Sequence, residues 1–105
     1  MILLTMDEHP TRKTREVLGL VRGNAVRSRH LGKDITAFFK NMVGGELEEY
    51  TKLLAESREQ ALDRLMAEAA TLGADAVLCL RFSSSEISSR AAEILVYGTA
   101  VKLEP

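Results

Sequence analysis

The chain is short of several things, and each shortage excludes a class of protein. Its 105 residues include a single cysteine, Cys79, and no tryptophan. A small extracellular domain is commonly stapled by several disulfides, so one thiol makes a reducing cytosol the expected compartment. Aromatic residues are only 5% of the chain and prolines number two, which leaves the core to Leu, Val, Ile and Ala with a few Phe. No apolar run approaches the roughly 20 residues that a membrane-crossing helix needs. The opening Met-Ile-Leu-Leu-Thr-Met-Asp-Glu-His has acids where a secretory leader would stay apolar, and no membrane partner is expected. The formal net charge of −1 exerts no global pull on nucleic acid. Hydrophobic residues at 46% and charged ones at 28% describe an ordinary globular chain, long enough for one domain over 1–105.

What charge there is lies unevenly. Residues 1–45 carry eight Lys/Arg against four acids, and the remainder carries six against eleven. Opposed halves can attract one another within the chain or between neighbouring copies. The basic stretch from Arg22 to Lys33 has no interleaved aromatics, so a solvated loop, or a segment docking onto an acidic helix, is expected there rather than a nucleic-acid surface.

Thr14 to Arg22 is short, rich in branched side chains and bounded by Gly23, which predicts a strand. Asp34 can cap a helix carrying Ile35, Phe38, Phe39 and Met42, ended by Gly44 and Gly45. From Glu46 to Leu72, the positions Leu47, Tyr50, Leu54, Ala61, Leu65, Ala69 and Leu72 fall on one stripe, which predicts a long amphipathic helix stopped at Gly73. Ala76 to Ser83 and Glu93 to Leu103 are two further strands, joined through Ser83-Ser84-Ser85-Glu86-Ile87-Ser88-Ser89, a polar connection. The order is strand, helix, helix, strand, strand. A right-handed crossover with the last strand inserted between the other two gives a small mixed sheet and one helical layer, so the fold class is α+β, a two-layer sandwich. Gly19 and Gly98 are expected to admit close backbone approach within the sheet.

Few residues carry legible chemistry. Cys79, His9 and His30 stand at no recognised ligand spacing, so no metal site is assigned and Cys79 is expected as a small buried hydrophobe. Five copies of Cys79 around an axis would be the one route to a thiol site. No nucleophile with its base and no phosphate-cradling glycine loop is present. Arg58 stands out because it falls inside the helix's apolar stripe, where a charge is costly unless paired. It is tied to an acid or to strand carbonyls, within the chain or across a subunit boundary, or it snorkels past its neighbours, or it forms an anion pocket with Tyr50.

The run Val43-Gly44-Gly45, Tyr50, Leu53, Arg58, Ala61, Leu65, then Leu72-Gly73-Ala74-Asp75-Ala76-Val77 and Gly98-Thr99-Ala100-Val101-Lys102 resembles the YbjQ-like family. So does Gly19-Leu20-Val21-Arg22-Gly23-Asn24-Ala25, and the similarity covers about residues 14–103. The resemblance implies a strand-helix-strand-strand subunit like that of dodecin, assembled into a ring of five. It implies no activity, since the family is uncharacterised and linked to heavy metals only by distant analogy. Arg81 and Ser83 stand where relatives tend to carry acids, which weakens any cation role for that strand.

Two observations argue for assembly independently of the resemblance. A helix from 46 to 72 would be about 40 Å long, beyond the diameter of a small domain. In the sheet, Leu78, Leu80, Phe82, Ile94, Val96 and Ala100 can face the helix, yet the alternate positions Val77, Cys79, Leu95, Tyr97 and Val101 are largely apolar too. Those alternates are the expected interface with other copies. The functional expectation is a non-enzymatic oligomeric binding module, with Arg58 and Tyr50 contacting a small anion or metal between subunits and no cofactor named. The alternatives are an enzyme with a composite inter-subunit site and a purely structural ring.

Overall fold

The computed structural model describes residues 1–28, 46–88 and 91–105. It contains β1 (Ile2–Leu3), β2 (Thr14–Ser28), α1 (Glu46–Thr71), β3 (Ala76–Ser88) and β4 (Ala91–Leu103). The sheet order is β1-β3-β4-β2. β4 runs antiparallel to both β2 and β3, and β1 joins β3 in parallel. The expected insertion of the last strand between the other two is therefore present, in an α+β sandwich. The helix expected after Asp34 lies outside the described residues.

α1 forms because no Gly or Pro interrupts a run rich in Leu, Ala, Glu and Arg. It ends in a Schellman motif, in which Ala74 N–H donates to Ala69 O at 3.1 Å and Gly73 N–H to Ala70 O at 3.0 Å. Its sheet-facing line is Ser57, Ala61, Leu65 and Ala69, all buried. Three of these four side chains are small, so the helix axis sits close to the sheet. Gly23 is the counterpart on β2, since a Cβ there would collide with the backbone at Ala61 and Leu65. The core closes around Val21, Ala25, Leu65, Val77, Leu80, Val96 and Ala100. α1 lies chiefly over β2 and secondarily over β4, leaving β3 with the thinnest cover.

Three features differ from the sequence expectation. First, the polar serine run is no loop: Ser83 to Ser88 continues β3, with Ser83, Ser84 and Ser85 opposite Leu95, Ile94 and Glu93. Serine is a weak strand former, but pairing along a β4 rich in branched residues overrides local preference. For the same reason β2 runs on through Arg22–Ser28, where a loop was expected.

Second, the alternation along β3 breaks at Cys79, whose φ is +54° at the register shift between Leu78 and Arg81. A bulge adds a residue to one strand and flips its faces. Val77 consequently points to the helix side with Leu80, while Leu78 points away with Val101. Gly19 (φ +118°) sits at a second bulge, on β2, with nothing near its Cβ position. It supplies a backbone conformation there, not the close approach expected of it. Gly98 does allow close approach, since a Cβ would sit 2.6 Å from Val77 Cγ1.

Third, β1 was not foreseen. Because β1 and β2 occupy opposite edges, residues 4–13 must cross the sheet, and Ile2 and Leu4 pack with buried Ala76, Leu78, Val101 and Leu103 on the face away from α1. Leu4 N–H donates to Val77 O, Cys79 N–H to Met6 O and Glu104 N–H to Lys13 O, at 2.8 to 2.9 Å. Half of the second sheet face is thus covered from within the chain.

Candidate functional site

Beyond this covered half the β3–β4 hairpin runs on, and the N-terminal half of α1 runs beside it. Between them lies a groove of about 430 Å³ lined by Leu54 and Arg58 of α1, Phe82 and Glu86 of β3, and Glu93 and Ile94 of β4. Alternation explains the grouping on the strands. Leu80 is buried on the helix side, so Phe82, two residues on, shares that face. Ile94 shares it with Val96 and Ala100 in the same way.

Arg58 lies one helical turn after Leu54 and two turns before Leu65, on the side turned to the hairpin, as its place in the stripe predicted. It is nevertheless exposed. The sheet opposite it is a serine-bearing strand and not the packed core, so the guanidinium meets open groove. Among the described residues no carboxylate or carbonyl is bonded to it. The apolar walls are equally open, with Phe82 47% and Leu54 36% exposed. Ser84 is an exposed part of the same lining, and Glu93 accepts a 3.0 Å bond from Asn24 Nδ2. One cation, the Glu86 carboxylate and three apolar walls can hold a small amphipathic ion; they do not assemble a nucleophile with a base.

The other sequence candidates are scattered. Tyr50 lies in the first turns of α1, its side chain outside the described part. Val77 and Val101 are both buried, one under α1 and the other with Ile2 and Leu4. Cys79 and Leu95 are half-buried, and Tyr97 is exposed. His9 Nδ1 accepts the backbone N–H groups of Thr11 and Arg12, each at 3.1 Å, which gives it a structural task in the crossing segment. Among the described residues, no three His, Cys, Asp or Glu side chains come together in a way that could hold a metal ion.

Sequence reasoning missed Phe82, Ile94 and Glu86 as groove residues. Phe82 and Ile94 were placed in the core because alternation gives a face and not its depth of cover. The signal for Phe82 was its position beside the serine run, where no large partner stands opposite.

On the unaided half of the second face, Arg22, Tyr97 and Arg81 form one cross-strand row. Leu20 and Val26 lie on the same face and are more than half exposed. Arg81 is held by Nη1 donating to Thr5 O and Leu80 O, each at 2.9 Å. No helix among the described residues is long and apolar enough to cross a membrane.

The chain is similar to a protein of unknown function from Pediococcus pentosaceus, of the DUF74 family, with a TM-score of 0.65 at 13% identity over 99% of this chain and 98% of that one. That likeness concerns the fold. In sequence it is 57% identical over 104 residues to a UPF0145 protein of Thermotoga maritima, covering 99% of this chain and 98% of the relative. A UPF0145 protein of Archaeoglobus fulgidus is 52% identical over 103 residues, covering 98% and 95%. The YbjQ family, described as "Putative heavy-metal-binding", matches residues 1–104, and the chain belongs to it.

Proposed function

We propose that the protein is a non-enzymatic, homo-oligomeric binding module that holds a small amphipathic monoanion in the groove beside Arg58. The observation that carries this reading is an exposed guanidinium on the sheet-facing side of a helix, set among Leu54, Phe82 and Ile94 and bonded to no acid among the described residues. Glu86 in the same lining disfavours polyanions, so a carboxylate with an apolar body fits better than inorganic phosphate. An open groove gives an exposed charge little purchase, because water screens it. A second copy laid over the open side would lower the local dielectric and strengthen the contact.

Assembly is supported by shape as well as by exposure. The radius of gyration is 17.3 Å, against roughly 13 Å for a compact domain of this size. Val17, Leu20 and Val26 are each more than half exposed, and Phe82 and Tyr97 nearly as open. Surfaces of that kind mark interaction sites. These arguments support a closed ring, and the family resemblance implies five copies.

Heavy-metal binding, the family's description, does not fit the donor set of the described residues of one copy. His9 Nδ1 is committed to two backbone N–H groups, Cys79 stands alone, and no three ligating side chains converge among the described residues. Mass spectrometry of the intact assembly under gentle conditions tests both parts, by subunit count and by any retained small molecule. Calorimetric titration with benzoate is expected to give saturable binding that Arg58→Met abolishes while assembly persists. Loss of assembly in Arg58→Met, or equal binding by both proteins, would make Arg58 structural. Stoichiometric uptake of zinc under reducing conditions would restore the metal reading.

A further inference from the structure

Among the described residues, both edges of the sheet are open where the hairpin leaves the body. β1 pairs with β3 only at Ala76 and Val77, and the crossing segment takes the N–H groups of Cys79 and Leu80. Beyond Leu80, β3 continues to Ser88 with no strand on its outer side among the described residues. β2, 15 residues long, likewise has none on its outer side.

Alternation fixes which backbone groups these edges present. Leu80 N–H points outward, to Leu4 O, so Phe82 and Ser84 turn their N–H and C=O outward while Arg81 and Ser83 turn theirs to β4. Tyr97 lies opposite both Arg81 and Arg22. Its own groups are used toward β3, which leaves those of Arg22 and Asn24 facing out from β2. One contact agrees with this: Arg64 Nη1 reaches round the edge to the Asn24 carbonyl at 2.5 Å. A side chain covers one lone pair that no strand uses.

Natural edges are blunted by proline, bulges or brevity. Neither β2 nor β3 contains proline. The register shifts of β2 both fall between Thr14 and Gly19, and those of β3 fall between Leu78 and Arg81 and between Glu86 and Ser88. The stretches from Arg81 to Glu86 and from Leu20 to Ser28 are regular.

We propose that the outer edge of β3 beyond Leu80 pairs, in parallel, with the outer edge of β2 of a second copy, head to tail around the assembly. The inference rests on the reading that copies of this chain associate. Parallel pairing follows because β2 and β3 both oppose β4, and rotation about an axis along the strands preserves their direction. Self-pairing of β2 would leave the β3 edge bare, whereas the head-to-tail contact consumes both edges when the ring closes. α1 sits chiefly over β2, so the neighbour that contributes β2 brings its helix over exposed Phe82. That closes the open side of the Arg58 groove, which is incomplete in a single copy.

Ser84→Pro tests the pairing, because it deletes one outward N–H at an exposed position and leaves the ladder to β4 intact. The expected result is a folded species of single-copy mass by light scattering, with wild-type far-UV circular dichroism, where the wild type is assembled. Hydrogen exchange on the wild type gives a second reading that needs no mutant. The amides of Phe82 and Ser84 are expected to exchange about a hundredfold more slowly in the assembly than after dilution to single copies. A Ser84→Pro protein that assembles normally, or rapid exchange of these amides within an assembled wild type, overturns the edge pairing and leaves association standing. A wild type that is a single copy at every concentration overturns both.

Discussion

The same helix and the same hairpin are sealed at one end of the molecule and open at the other. Toward the C-terminus of α1, Ala61, Leu65 and Ala69 press on Val21, Gly23 and Val96, and the crossing segment covers the sheet's other face. Toward its N-terminus, Leu54 and Arg58 look across a groove at Phe82 and Ser84. The elements are continuous from end to end, so secondary structure does not make the difference; what changes is the size of the residues that meet. Small side chains on α1 against a glycine on β2 let the layers close, and a serine strand beside an arginine does not. Buried contacts are concentrated in the first region, and the second holds the groove proposed to bind.

Substitutions in the sealed end should therefore cost most. Leu65→Ala is expected to lower unfolding stability by about 3 kcal/mol, measured by urea denaturation, because a fully buried side chain leaves a cavity between close-packed layers. Gly23→Ala should cost about 2 kcal/mol by pushing helix and sheet apart, and a neutral result would mean that the two backbones do not touch. Gly19→Ala tests the bulge more mildly, at about 1 kcal/mol for a side chain forced into a conformation suited to glycine. Phe82→Ser should change the stability of a single copy by no more than about 0.5 kcal/mol, yet weaken assembly in sedimentation experiments. If it destabilised the fold as strongly as Leu65→Ala does, the division between a stabilising end and a recognising end would collapse.

Much of the architecture was legible because it depends on periodicity and punctuation. The stripe of Ala61, Leu65 and Ala69, the stop at Gly73 and the two apolar strands before and after the serine run are local signals. The serine run misled, since Ser83 to Ser85 take their conformation from β4 and not from their own preference. The faces of Val77 and Leu78 were exchanged for a similar reason, because a bulge at Cys79 leaves no mark in the pattern of apolar residues. Arg58 was visible as an anomaly in the stripe. Phe82 and Ile94 were visible only as hydrophobic residues, without any sign that their end of the sheet lacks cover.

Composition and spacing by themselves determined an α+β fold, a long helix on a small sheet, and more apolar surface than one helical layer can hide. Those properties depend on near neighbours along the chain. Tertiary structure alone decided that residues 4–13 cross the sheet, that the register slips at Cys79 and that Arg58 opens into a groove. Each of these depends on which distant segments meet and at what separation, a quantity set by packing between layers.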